Sequence, residues 1–134
     1  MIVFLDTNVL VSAIATRGIC ADLLNVVLAD HTLAVGETVL AELREVLRRK
    51  LRLPAALAAE AENFLRLHAR VVVATELPDI AIRDPGDRFV LAEAVAAGVD
   101  VLVTGDHDLL DVAGRATIRI LSPRGFWELL RTGQ

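Results

Sequence analysis

At 134 residues the chain is long enough to bury a continuous core without disulfides or a structural metal, so a single domain spanning 1–134 is expected. Apolar residues make up 54% of it and mean hydropathy is +0.53, yet no uncharged apolar stretch approaches the roughly 18 residues of a membrane span, so a soluble chain is expected. A net charge of −4, from 18 acids and 14 bases, excludes general electrostatic attraction to nucleic acid, so any such binding must be local.

Ile2 to Leu5 is a short, wholly apolar β-type run. Asp6 follows it directly, and a helical pattern then runs through Leu23, Leu24, Val27 and Leu28. The stretch TLAVG at 32–36 is a second strand ended by Gly36, and Thr38 is placed to cap a helix whose apolar face carries Val39, Leu43, Val46 and Leu47. Pro54 separates that helix from an Ala-rich one over 55–68, and RVVVAT at 70–75 supplies a third strand. A turn-rich link over 76–83 leads into RDPGD at 83–87, which reads as a helix start. Asp84 suits the N-cap, Pro85 the first helical position and Asp87 the third, where a carboxylate meets the positive end of the helix dipole. That helix runs to about Ala97 and stops at Gly98. VDVLVTGD at 99–106 is a buried strand, a short helix follows, and TIRIL at 117–121 is a last strand. Ser122-Pro123 then opens a closing helix containing Trp127, Leu129 and Leu130. Strands alternating with helices, with no internal repeat or linker, specify an α/β fold in which a parallel sheet of five strands is sandwiched between helices.

Asp6 raises a question, because a carboxylate beside an apolar run is costly to bury without a partner. Ligands of open α/β sheets sit outside the carboxyl ends of the strands, and Asp6 and Asp106 each directly follow a buried strand. Glu42, one turn into the helix after the second strand, and Asp87, in the first turn of the helix leading to the fourth, start from the same rim. Carboxylates packed this closely raise each other's pKa, so the arrangement is tolerable only with cations or protons between them. All-oxygen donors without a Cys or His cluster select Mg²⁺ or Mn²⁺ over zinc.

LDTNVLVSA at 5–13, ETVLAELREVL at 37–47, RDPGDRFVLAEA at 83–94 and LVTGDHDLL at 102–110, in this order, resemble the PIN-domain family in its bacterial, VapC-like toxin branch. The resemblance covers nearly the whole chain. It implies a three-layer α/β/α sandwich and a metal-dependent nuclease that cleaves RNA to a 5′-phosphate and a 3′-hydroxyl, working as the toxin of a toxin–antitoxin pair. It also implies an acidic quartet on Asp6, Glu42, Asp87 and Asp106, a further acidic position at Asp108, and small polar bracing residues at Thr7, Asn8 and Thr104. An Mg²⁺ or Mn²⁺ ion held by Asp6 and Asp106, with the others binding directly or through water, would lower the pKa of a bound water and stabilise charge on the phosphoryl oxygens. Two-fold dimers are common in such domains, and the apolar surplus of so short a chain points the same way, to a homodimer.

Blander readings exist for several of these residues. Asp84 is explained by N-capping alone and stays outside the expected site, and Asp108 could equally cap the short helix after Gly105. Taken singly, Asp87 could serve only the helix dipole and Glu42 only a solvated face. The basic run RRKLR at 48–52 suits a helix C-terminus as well as RNA phosphates, and Arg at 13 of the 14 basic positions fits genomic base composition. His31, His68 and His107 lack metal-ligand spacing and read as surface or partly buried residues. Phe126 and Trp127 suit core or interface, and five aromatics argue against single-strand binding by base stacking. The start Met1-Ile2-Val3-Phe4 lacks the basic region and cleavage site of a secretory signal, and Cys20 has no partner for an internal disulfide, so a reducing cytoplasm is expected. A response-regulator receiver needs a Lys after the last strand, whereas the sole Lys is Lys50. A haloacid-dehalogenase phosphatase needs Asp where Asn8 stands, and no glycines have nucleotide-loop spacing. The remaining alternative is a catalytically weak PIN-fold module that binds RNA or a protein partner.

Overall fold

The three apolar stretches best suited to burial form the middle of the sheet. In the computed structural model, which describes residues 1–133, β1 (Ile2–Leu5), β2 (Thr32–Gly36), β3 (Arg70–Val72), β4 (Val101–Val103) and β5 (Arg119–Leu121) pair in the order β3-β2-β1-β4-β5. Every pairing is parallel. Val3, Phe4 and Leu5 of β1, Leu33, Ala34 and Val35 of β2, and all of β4 are buried, as strands covered on both faces must be. The edge strands carry exposed Arg70 and Arg119 instead. Helices α1 (Thr7–Ala15), α2 (Ile19–Asp30), α3 (Glu37–Arg49), α4 (Ala55–His68), α5 (Pro85–Ala96), α6 (His107–Leu110) and α7 (Pro123–Thr132) complete the expected α/β/α sandwich. None of them is long and apolar enough to cross a membrane alone. From β1 the chain builds outward to β2 and β3, then returns past β1 to β4 and β5, so the order reverses between β1 and β4. A crevice forms at such a switch point, beyond the strand ends that carry Asp6 and Asp106.

Several element boundaries differ from the sequence expectation. The helical pattern after β1 is two helices bent by 103°, and the break falls at Gly18, whose φ of +153° is open only to glycine. The third strand ends at Val72 rather than Thr75, because its partner runs out: Gly36 pairs with Val72 and α3 begins at the next residue. The fourth strand is confined to Val101–Val103 and the fifth to Arg119–Leu121. Thr38 does not cap α3; the cap lies two residues earlier, at Gly36, with the helix starting at Glu37 and no side-chain bond from the cap position. Asp84 and Ser122 do cap as expected, accepting from the backbone N–H of Gly86 at 2.9 Å and of Gly125 at 3.0 Å.

Candidate active site

Asp6 is buried, only 3% exposed, and is held on every side. Its backbone N–H donates to the Val103 carbonyl at 3.0 Å, continuing the β1–β4 ladder by one step. Its Oδ1 accepts from the Thr7 N–H at 2.7 Å, which makes it the N-cap of α1. Its Oδ2 accepts from the Thr104 hydroxyl at 2.7 Å and the Asn8 side-chain amide at 3.3 Å. Burial pushes this carboxyl above the usual range, the bonds from Thr104, Thr7 and Asn8 oppose the rise, and the Asp106 charge adds to it.

The residues expected to brace the acids tie the crevice together. The Thr7 hydroxyl donates to Glu42 Oε2 at 3.0 Å, linking α1 to α3. Asn8 Oδ1 accepts from the Gly105 N–H at 2.9 Å, so one side chain spans from Asp6 to the loop after β4. Thr104 is fully buried; its oxygen donates to Asp6 and accepts from the Asp106 N–H at 3.0 Å. Asp106 Oδ1 in turn accepts from the Asp108 N–H at 2.9 Å and caps α6.

Asp6, Glu42, Asp87 and Asp106 all line one cavity of about 730 Å³ between α1, α3 and the start of α5. Asp87, Asp106 and Asp108 each offer an oxygen within 4.8 Å of the others. Burial and then the Asp106 and Asp84 charges push the Asp87 carboxyl up to about 7. Asp87 Oδ2 is buried with no hydrogen-bond partner among the described residues. Glu42 is likewise pushed up, by burial of its carboxyl and by the Asp6 and Asp84 charges, against the bond from Thr7. An oxygen-only donor set with an unsatisfied buried oxygen fits a hard divalent cation, which would neutralise the mutual repulsion and occupy the idle lone pairs.

Three further residues belong to the same neighbourhood. Asp84, explained by sequence as a cap, also lines the cavity and its charge acts on both Glu42 and Asp87. Of the basic run at 48–52, Lys50 reaches the cavity lining; Arg48 bonds the Leu53 carbonyl at 2.6 Å and Arg49 pairs with Glu45 at 3.1 Å. Glu93, missed altogether, is 3% exposed, and its two oxygens accept from the Thr38 N–H at 3.2 and 3.0 Å. The available signal was an acid inside the buried stripe Val90, Leu91 and Ala94 of α5. Away from the acids the cavity wall turns apolar, through Val11, Ala15, Val46 and Leu51.

The sequence matches the family described as PIN domain over residues 2–108. No curated protein matches it. Among solved structures the chain is similar to VapBC-1 from nontypeable Haemophilus influenzae, at a TM-score of 0.64 and 18% identity, covering 92% of this chain and 99% of that one. It is similar to VapBC2 from Rickettsia felis bound to a DNA fragment from their promoter, at 0.62 and 19%, covering 90% and 97%. Mycobacterium tuberculosis VapC20, a Sarcin-Ricin loop cleaving toxin, aligns at 0.58 and 18%, covering 82% and 94%. At such identities these likenesses concern the fold.

Proposed function

The chain belongs to the PIN-domain family, a nuclease family, and we propose that it is a divalent-metal-dependent endoribonuclease acting in the cytoplasm as the toxin of a toxin–antitoxin pair. In this reading Asp6, Glu42, Asp87 and Asp106 are the metal-binding and catalytic acids, Asp108 is a further ligand, and Thr7, Asn8 and Thr104 support them. The observation that carries it is the buried, partnerless Asp87 Oδ2 in a cavity lined by the other three acids. When bound, Mg²⁺ or Mn²⁺ supplies an activated water and stabilises charge on the phosphoryl oxygens. The chain's own groups do the rest. Thr104, Thr7 and Asn8 fix Asp6 in one rotamer, and Thr7 also orients Glu42. Among the residues that line the cavity, Lys50 adds the one positive charge available to an RNA phosphate.

Neighbours solved as toxin–antitoxin assemblies support an antitoxin partner for this chain, and a neighbour described as cleaving the Sarcin-Ricin loop supports RNA as substrate. The direct test is cleavage of single-stranded RNA with Mg²⁺ or Mn²⁺, with and without chelator, beside Asp6→Asn. Cleavage that needs the ion and disappears in the variant is expected. Cleavage surviving both treatments would assign it to another site or a contaminant.

A further inference from the structure

The α3 helix lacks a cap of its own, and the reason lies on α5. Gly36 occupies the N-cap position, where Ser, Thr, Asp or Asn ordinarily supplies an oxygen to the first free N–H groups. Here the oxygen comes from Glu93, whose carboxylate accepts twice from the Thr38 N–H. The same carboxylate explains the glycine. A Cβ at Gly36 would lie 2.1 Å from Glu93 Oε1 and 2.8 Å from Glu93 Cβ, so a capping side chain at position 36 and Glu93 exclude one another. Glu93 is buried, which pushes its carboxyl above the usual range, and the bond from the Thr38 N–H opposes the rise.

The two helices joined this way each carry an acid of the candidate site: α3 holds Glu42 and α5 holds Asp87. Glu93 stands six residues after Asp87, and Thr38 stands four before Glu42. Among the described residues, the Glu93–Thr38 contact is the side-chain hydrogen bond that ties α5 to the start of α3. We propose that Glu93 is a positioning residue for the metal-binding acids: by capping α3 from α5 it sets the separation of Glu42 and Asp87. The proposal rests on the nuclease reading of the site. Glu93 does not line the cavity and touches neither ion nor substrate in it.

The test uses the full chain and four proteins: wild type, Glu93→Gln, Glu93→Gly, and Glu93→Gly combined with Gly36→Ser. The glycine at 93 clears both the carboxylate and the Cβ that would collide with a side chain at 36, so the serine can cap α3 from its own N-cap position. Mn²⁺ affinity by calorimetry, RNA cleavage, and hydrogen exchange of the Thr38 amide are read for each. In Glu93→Gly the Thr38 amide loses protection, Mn²⁺ affinity and kcat fall about 10-fold to 100-fold, the range for groups that orient metal ligands, and KM for RNA is little changed. Glu93→Gln keeps an acceptor oxygen and stays near wild type. The double variant recovers most of the lost affinity, which a purely local packing defect would not do. Wild-type Mn²⁺ affinity and kcat in Glu93→Gly, with the Thr38 amide exposed, overturns the proposal and leaves the nuclease reading intact. If the single glycine variant does not fold, a folded double variant still deficient in Mn²⁺ binding overturns it equally. A wild-type chain that neither binds Mn²⁺ nor cuts RNA overturns both.

Discussion

The Thr104 hydroxyl donates to Asp6 Oδ2 at 2.7 Å while its oxygen accepts from the Asp106 N–H at 3.0 Å, so one fully buried side chain joins the acids that follow β1 and β4. Each partner is an ionisable or backbone group with little access to water, which makes the hydroxyl costly to lose. Thr104→Val preserves shape but strands the Asp6 oxygen and the Asp106 N–H. It is expected to lower unfolding free energy by about 1–3 kcal/mol and to reduce RNA cleavage further, while Thr104→Ser retains both. Denaturant unfolding and a cleavage assay on the two variants check this; equal behaviour of valine and serine would remove the bracing role.

The metal-free protein should lose stability as pH rises from about 4 to 7. The Asp87 carboxyl moves from 3.8 in the unfolded chain up to about 7 in the fold, so the folded state holds that proton more tightly. Below the lower value both states are protonated and nothing is lost; through the window the unfolded chain ionises first, and above the upper value the folded state bears the full penalty. Asp6 and Glu42, raised in the same direction, add to the slope. Melting curves of chelator-treated protein from pH 4 to 8 should therefore fall, the fall should flatten in Asp87→Asn, and Mn²⁺ should raise Tm more at pH 8 than at pH 5. A melting temperature that climbs across that window would contradict the clustering of charge.

Asp106 supplies a charge that pushes up both Asp6 and Asp87. Asp106→Asn removes that repulsion along with a donor oxygen, while an amide oxygen can still accept from the Asp108 N–H. The metal-free variant is expected to melt a few degrees above metal-free wild type, roughly the shift that 1 kcal/mol brings in a domain of this size. Its response to Mn²⁺ should shrink, since stabilisation by a ligand follows its affinity for the native state. An unchanged metal response would place the ion elsewhere.

Asp6 and Asp106 were legible because each sits where an apolar strand ends, and a parallel sheet brings all such ends to one edge. Asp84 and Ser122 were legible as caps because their geometry is local. Glu93 was not, because its meaning depends on Gly36, 57 positions earlier in the chain, and the capping rule that pointed to Thr38 knows only near neighbours. The bend before α2 escaped for a related reason: the helical pattern through Leu23, Leu24, Val27 and Leu28 does not show where the backbone turns, from an extended Thr16 to Gly18 at positive φ. The third strand came out long because VVV favours extended chain, while strand length is set by how many residues β2 offers for pairing.

Phe89, 49% exposed, and Val95, 40% exposed, lie on the outer side of α5, and Leu77, 44% exposed, lies in the segment that runs along it. Leu77, Pro78, Ala92 and Val95 line a concavity of about 280 Å³ there, into which large side chains of a second copy would fit. A second exposed apolar row, Leu57, Phe64 and Leu67, runs along α4. Two-fold pairing is the commonest way for a chain to cover such a surface with a copy of itself, and the α5 face adds a concavity formed by two segments. Light scattering across a dilution series should give twice the 14.5 kDa chain mass. Phe89→Lys should shift the protein toward monomer, while Leu67→Lys on α4 should leave the dimer intact. A 14.5 kDa particle at the highest concentration would refute the dimer. Dissociation by the α4 variant alone would move the interface to α4 and leave the α5 concavity for the antitoxin.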